Sequence, residues 1–348
     1  MKKKRGSVNM SANSNLHKAK SVKNDEFYTR LEDIENELKH YRGHFKDKVV
    51  YCNCDDPMVS NFFKYFLLNF KHLGLKRLIT SCYRNIDAGK QTDGLSDKAV
   101  WLDYDGQGDD GVLPSLDDVV IHEFEGDGDF RSDESIALLK QADIVVTNPP
   151  FSLFREYIAQ LIEYEKLFVV LGSMNAVTYK EIFPLLKDNK MWLGHKNGSM
   201  QFYLPDHAEM KKSGYIDDQG RKVQKFGNIA WFTNMDIAKR HEDIILYKAY
   251  EPEEYPKYDN YDAIEVSRVV NIPVGYDGVM GVPITFLDKF NPEQFEILGS
   301  QRWAKSQEML DVYCGTSEPP ENDKKTLING KETYDRIFIK HKNAGCVN

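Results

Sequence analysis

Asp143-Ile144-Val145-Val146-Thr147-Asn148-Pro149-Pro150-Phe151 is the stretch that decides how this chain is read. Its first half is a short apolar run rich in β-branched residues, the pattern of a strand buried on both faces. It stops at two consecutive prolines, which fix φ and remove two backbone donors, so the turn is stiff and its carbonyl oxygens remain as acceptors. The Asn148 side chain and the Pro149 carbonyl then form a rigid acceptor pair suited to an exocyclic NH2 group. Gripping an amine by its hydrogens aims the nitrogen lone pair at an electrophile and stabilises the positive charge that develops. Positioning, rather than a strong base, carries the acceleration. Phe151 adds a flat apolar face against which a base removed from its duplex can stack. Asn148, Pro149, Pro150 and Phe151 are therefore the candidate catalytic residues. An isolated Asn-Pro-Pro-Phe is more often an ordinary strand end with a core phenylalanine, so the surroundings have to decide.

Upstream, Leu31, Ile34, Glu35 and Leu38 follow helical spacing, and Lys48-Val49-Val50-Tyr51-Cys52-Asn53 reads as a buried strand ending at Asp55-Asp56-Pro57. Phe62, Phe63, Phe66, Leu67 and Phe70 continue as an amphipathic helix. A strand at Arg77-Leu78-Ile79-Thr80-Ser81-Cys82, a polar Gly/Asp-rich excursion over 86–118 and a strand around Val119-Val120-Ile121-His122 come next. A helix at Ser135–Leu139 precedes the deciding strand, a second from about Phe154 to Tyr164 follows it, and Leu167–Leu171 is a further strand. This alternation with short connections predicts an α/β fold with a mostly parallel sheet, whose ligands sit beyond the carboxyl ends of the strands. Met191–Leu193, Gln201–Leu204 and Ile229–Thr233 read as additional strands, with the Gly- and Lys-bearing loop 205–228 between the last two. From His241 the chain becomes rich in Tyr, Pro and Asp with few helical runs, which marks off a separate region.

Three segments stand at the rim where a partner for the amine would bind. Asn53, Asp55, Asp56 and Pro57 end the first buried strand, and Gly126-Asp127-Gly128-Asp129-Phe130 follows the third. Asp127 or Asp129 can accept from an adenine amine, and Phe130 can stack on its ring. Tyr28-Thr29 precedes a helix, with Thr29 placed to cap it. Gly-Asp turns are common, so each segment is weak when taken alone.

Composition narrows the class. The chain has 348 residues, 41% hydrophobic and 29% charged, enough for a full catalytic core plus an appendage in an ordinary globular protein. A charged opening without an apolar run after it implies neither secretion nor membrane anchoring, so a cytoplasmic location is expected. The five cysteines contain no C-x-x-C pair and no metal is expected. With a formal charge of -8, contact with nucleic acid has to be local. Two basic stretches qualify: the arm 1–24, with Lys2, Lys3, Lys4, Arg5, Lys18, Lys20 and Lys23, and the set Lys211, Lys212, Arg221, Lys222 and Lys225. Each taken alone is as readily a solvated surface.

Together, the segments at Asp25–Thr29, Asp47–Pro57, Gly126–Ser132, Asp143–Ser152, Tyr258–Ile264 and Gly278–Leu287 closely resemble the EcoRI-type adenine-specific DNA methyltransferases. The resemblance implies a Rossmann-like S-adenosylmethionine-dependent methyltransferase sheet with flanking helices, plus a smaller C-terminal target-recognition region. It implies a division into the arm 1–24, a catalytic domain 25–240 and a recognition region 241–348. The substrate would be the N6 amine of an adenine flipped out of double-stranded DNA, the methyl donor S-adenosylmethionine, and the enzyme a monomer with a cognate restriction endonuclease, acting separately, as a candidate partner. Tyr28 and Thr29 would touch the methionine end of the donor; Asn53, Asp55, Asp56, Pro57, Asp127 and Asn148 would line its site, and Asp129 and Phe130 would meet its adenine. Two departures stand out. The loop after the first strand lacks the usual glycines, and the second strand ends in Cys82-Tyr83, where an acidic ribose ligand is often found. Similar Asn-Pro-Pro-aromatic turns act on RNA and on protein glutamine, and a non-catalytic DNA-binding relative is the remaining alternative.

Overall fold

The computed structural model describes residues 27–54, 60–83, 99–106, 118–204, 208–303, 307–314 and 325–343. Asp55, Asp56, Pro57 and the basic arm 1–24 lie outside the described residues.

Four strands form the parallel centre of the main sheet: β2 (Val49–Asn53), β3 (Arg77–Ser81), β6 (Ile144–Thr147) and β7 (Leu167–Ser173). They lie in the order β7-β6-β2-β3, and their middle residues are buried on both faces, as near-continuous Val/Ile/Leu runs require. Antiparallel strands extend the sheet on both sides. Beyond β3 lie β4 (Val100–Tyr104) and β5 (Val120–Glu123); beyond β7 lie β11 (Lys222–Thr233), β9 (Gly198–Tyr203) and β1 (Tyr28–Thr29). The short strands β8 (Trp192–Leu193) and β10 (Gly214–Ile216) pair with β11. The mostly parallel sheet expected from sequence is thus a mixed one with a parallel centre, and the polar excursion 86–118 contains β4. That strand alternates buried and half-buried residues because it covers only one apolar face.

Helices cover both faces. Leu31–Leu38 and Asn61–Leu68 pack on one, the second started by the Ser60 hydroxyl accepting from the Phe63 amide. Asp133–Gln141 and Phe154–Glu163 pack on the other, where Gly172 of β7 lets the Phe154 ring lie against the strand. The first helix is tied across the sheet by Glu37. Its buried carboxylate accepts from the His195 amide at 2.7 Å, the Lys196 amide at 2.8 Å and the Tyr41 hydroxyl at 2.8 Å. Burial pushes the Glu37 carboxyl above its ordinary range, although these donors pull it back.

The last third of the chain forms a second sheet from β12 (Ile264–Glu265), β13 (Met280–Pro283), β14 (Phe295–Ser300) and β17 (Arg336–His341), in the order β12-β13-β17-β14. A small hairpin, β15 (Leu327–Ile328) and β16 (Lys331–Glu332), lies between β14 and β17 in the chain. Ile264, Met280, Val282, Phe295, Ile297, Ile337 and Ile339 belong to the same apolar core as Val145, Tyr157 and Phe168 of the main sheet. Among the described residues, no helix is long and apolar enough to cross a membrane.

Candidate active site

Strand order reverses at β2, whose neighbours β3 and β6 follow it in the chain on opposite sides. The crevice beyond the carboxyl ends of β2 and β6 is where such a sheet takes its ligand. The two ends are stitched there: the Thr147 hydroxyl donates to the Asn53 carbonyl. Asn148 follows immediately and is 7% exposed. Its amide nitrogen donates to the Phe27 carbonyl at 2.7 Å, which fixes the carboxamide, because the reversed orientation would set oxygen against oxygen. The other end, Oδ1, is buried with no hydrogen-bond partner among the described residues. Leaving a buried acceptor unmet costs about 1–3 kcal/mol, so such an atom marks a place for an external donor. Pro149 is buried; the Pro150 carbonyl accepts from the Leu153 amide at 3.0 Å, and among the described residues the Pro149 carbonyl has no such bond. Phe151, Phe27 and Phe226 are half-buried around one apolar cluster, with the Phe27 and Phe226 rings 4.5 Å apart.

On the other side of β2, the loop Gly126–Phe130 leaves β5 at the same rim, since β5 runs parallel to β3. Gly128 has φ +74 and lies so close to the end of β3 that a Cβ would collide with the Cys82 carbonyl. Asp127 accepts from the Asp129 amide at 3.1 Å, while both carboxylate oxygens of Asp129 are engaged by the Arg131 guanidinium at 2.7 and 2.9 Å. Burial raises the Asp129 carboxyl, but the bonds from Arg131 outweigh it and hold the group below its ordinary range. Phe130 is buried edge-on to Tyr157 at 5.1 Å. The Asn53 amide oxygen accepts from the Tyr157 hydroxyl. Thr29 does not cap the following helix. It is a residue of β1 paired with Phe202, and Arg30 takes the N-cap position without a side-chain bond. The Thr29 hydroxyl is nevertheless buried and without a partner among the described residues. The orphaned Thr29 hydroxyl and a glycine-bearing loop with the Asp127 carboxylate fit a nucleoside donor with an amine at each end, which leaves Asn148 Oδ1 for a second amine. Gly128→Ala is expected to weaken S-adenosylmethionine binding about 10-fold by isothermal titration, since a left-handed non-glycine residue costs on the order of 1–3 kcal/mol before the collision with Cys82 is counted. Unchanged affinity would remove this loop from the site.

The basic stretch 205–228 is not a loop. Residues 205–207 lie outside the described residues, but β10 and the first half of β11 form a tight hairpin carrying Lys211, Lys212, Arg221, Lys222 and Lys225. Arg221 pairs with Asp217 and lies 4.1 Å from the Tyr203 ring centroid, the Lys222 ammonium donates to the Ala208 carbonyl, and the Lys211 ammonium lies over Phe226. β11 pairs with β7 only from Ile229, opposite Ser173, so its first half overshoots the carboxyl rim of the parallel strands. A separate open cleft of about 480 Å³, lined by Arg268, Thr285, Asp288 and Lys289 among others, lies between the two sheets and includes none of the rim residues above. The unmet acceptors of the rim, not the volume of this cleft, mark the candidate site, because methyl transfer to an amine needs those oxygens.

Sequence reading did not find Phe27, Tyr157 or Phe226. Each acts through a partner far off in the chain, and only the adjacency of Phe27 to Tyr28-Thr29 was a signal. Among the described residues, no group of His, Cys, Asp or Glu is placed to hold a metal.

Comparison with known proteins gives the family. Residues 15–342 match the family described as Adenine-specific methyltransferase EcoRI. The chain is 50% identical to the Type II methyltransferase M.EcoRI of Escherichia coli, over 95% of this chain and 97% of that protein. It is 40% identical to M.MgeORF184P of Mycoplasma genitalium, over 93% and 98% of the two chains, and 38% identical to M.MpnI of Mycoplasma pneumoniae, over 94% and 98%. Both are also Type II methyltransferases. No solved structure gives a significant match. With the family match spanning residues 15–342 and a relative 50% identical over nearly the whole chain, the chain belongs to the EcoRI family of adenine-specific methyltransferases.

Proposed function

We propose that this enzyme methylates the N6 amine of an adenine swung out of duplex DNA into the crevice between β2 and β6. The observation that carries the reading is the Asn148 carboxamide, tethered to the Phe27 carbonyl through nitrogen and presenting a buried, unpartnered oxygen. S-adenosylmethionine, the methyl donor of the family, supplies an electrophilic sulfonium methyl. Asn148 Oδ1 and the Pro149 carbonyl accept the two N6 hydrogens and aim the lone pair. When bound, the donor would supply its methyl carbon to the N6 lone pair and keep the departing electron pair on sulfur, and the surplus N6 proton would pass to bulk solvent as the product leaves the pocket. Phe151, with Phe27 and Phe226, stacks the extruded base and excludes water. Tyr28, Thr29, Asn53, Asp127, Asp129 and Phe130 line the donor side, with Asp129 acting through its pair with Arg131; Asp55, Asp56 and Pro57, outside the described residues, are assigned to donor binding by the resemblance alone.

The overhanging hairpin, through Lys211, Lys212, Arg221, Lys222 and Lys225, contacts phosphates, and the region 241–348 reads the target sequence. The arm 1–24 lies outside the catalytic region 25–240. The enzyme works in the cytoplasm as a monomer, with any cognate restriction endonuclease acting separately. The test offers tritiated methyl donor to DNA, RNA and protein in parallel. Label recovered as N6-methyladenine from DNA alone is expected; label confined to RNA or to glutamine would sink the proposal.

A further inference from the structure

The hairpin ends in an apolar residue that nothing in the fold uses. Ile216 is 60% exposed, the largest exposure in a stretch that also shows Met210 and Tyr215 to solvent. Its position is fixed rather than loose. Asp217 accepts from the Gln219 and Arg221 amides at 3.0 and 2.9 Å, Gly220 turns the chain at φ +78, and Gln224 bonds the Lys211 amide and the Ser213 hydroxyl. At the root, Asn228 bonds Asn175 at 2.8 Å beside the β-bulge. Ile216 pairs with Lys222, so it shares a face of the hairpin with Lys222, Gln224 and Phe226, because alternate residues of a strand point the same way. That is the face toward Phe27, whose carbonyl holds Asn148. Phe226 lies four residue steps along the strand from Lys222, which places Ile216 about 13 Å from the Phe226 wall of the pocket at about 3.3 Å per residue. This is close to the major-groove width of about 12 Å, so tip and pocket can engage one duplex together.

We propose that Ile216 is a wedge that enters the base stack beside the target and occupies the space the adenine leaves, with the exposed Lys211, Lys212 and Lys225 holding the flanking phosphates. The inference rests on the adenine reading above. An exposed apolar tip on a rigid, cation-flanked hairpin overhanging the rim fits duplex DNA better than a protein partner, since the surrounding charge is complementary to phosphate.

The test uses the full chain, S-adenosylmethionine and two unmethylated duplexes bearing the target site, that site having first been located by long-read mapping of the enzyme's products. One duplex is fully paired; the other sets the target adenine opposite an abasic position, where extrusion is already easy. Ile216→Ala is expected to slow single-turnover transfer about 10- to 100-fold on the paired duplex and to recover most of that loss on the unpaired one, because a wedge matters only where a base must be pulled from its pair. Ile216→Leu should retain most of the paired-duplex rate. Equal losses on both duplexes, or none on the paired one, would overturn the wedge alone. A wild type that labels neither duplex would overturn the adenine reading and the wedge with it.

Discussion

Asn148→Ala is expected to lower single-turnover methyl transfer by about 10³-fold or more while leaving S-adenosylmethionine affinity within a few-fold of wild type. Removing one preorganised polar group from a transition-state site costs about 10²–10³ in rate. Here two bonds go at once, since the alanine also releases the Phe27 carbonyl that fixes the segment preceding β1 against β6. Asn148→Asp separates the two contributions. It keeps an acceptor for the amine but sets a carboxylate oxygen against the Phe27 carbonyl, so the turn should shift and transfer should still fall by about 10²-fold. Rapid-quench transfer paired with equilibrium titration of the donor would read both quantities. Near-normal turnover in the alanine variant would mean that the buried oxygen serves the fold and not the chemistry.

The second large effect is one of stability and lies far from the rim. Arg336 and Glu265 form an ion pair whose side chains are only 8% and 10% accessible, with guanidinium–carboxylate bonds at 2.5, 2.9 and 3.1 Å. The Tyr258 hydroxyl donates to the same carboxylate, and burial followed by the Glu265 charge pushes that phenol well above its ordinary range. The pair links β12 to β17 across the intervening β13. Arg336→Met would leave Glu265 charged, buried and unmatched, a change that costs about 3–5 kcal/mol because desolvation is no longer offset. Equilibrium urea unfolding at neutral pH would show it as an earlier transition. The double variant Arg336→Met with Glu265→Leu should recover much of the loss, since removing both charges abolishes the penalty. A single-variant loss under about 1 kcal/mol would show that water reaches the pair.

Much of the catalytic fold is legible in the chain because its central strands are continuous apolar runs with abrupt ends. Val145, Val146 and Thr147 can hardly sit anywhere but in a covered sheet, and the two prolines say where that strand stops. What was not legible is long-range or one-sided. Val100–Tyr104 lies within a polar stretch and presents a single apolar face, so its period-2 signal is short. Lys222–Phe226 reads as basic loop because two lysines and a glutamine break its apolar pattern and glycines lie close on either side, yet its backbone bonds to β9 and β10 make it strand. The strands β12 to β17 are few-residue segments among Pro, Asp and Tyr, where tertiary pairing overrides local composition. The hold of Phe27 on Asn148 joins residues 121 apart, and no local pattern announces it.

The continuous core beneath the two sheets carries a consequence of its own. Ile264, Met280 and Ile339 fill one interior with Val145 and Phe168, so the C-terminal sheet is no detachable reading head that could be exchanged like a cartridge between relatives. Cutting the chain near residue 240 would strip the cover from one side of the catalytic sheet and leave a broad greasy wall facing water. If the region 241–348 reads the target as proposed, new target preferences would have to be worked into the exposed surface of one fused body rather than gained by swapping a module.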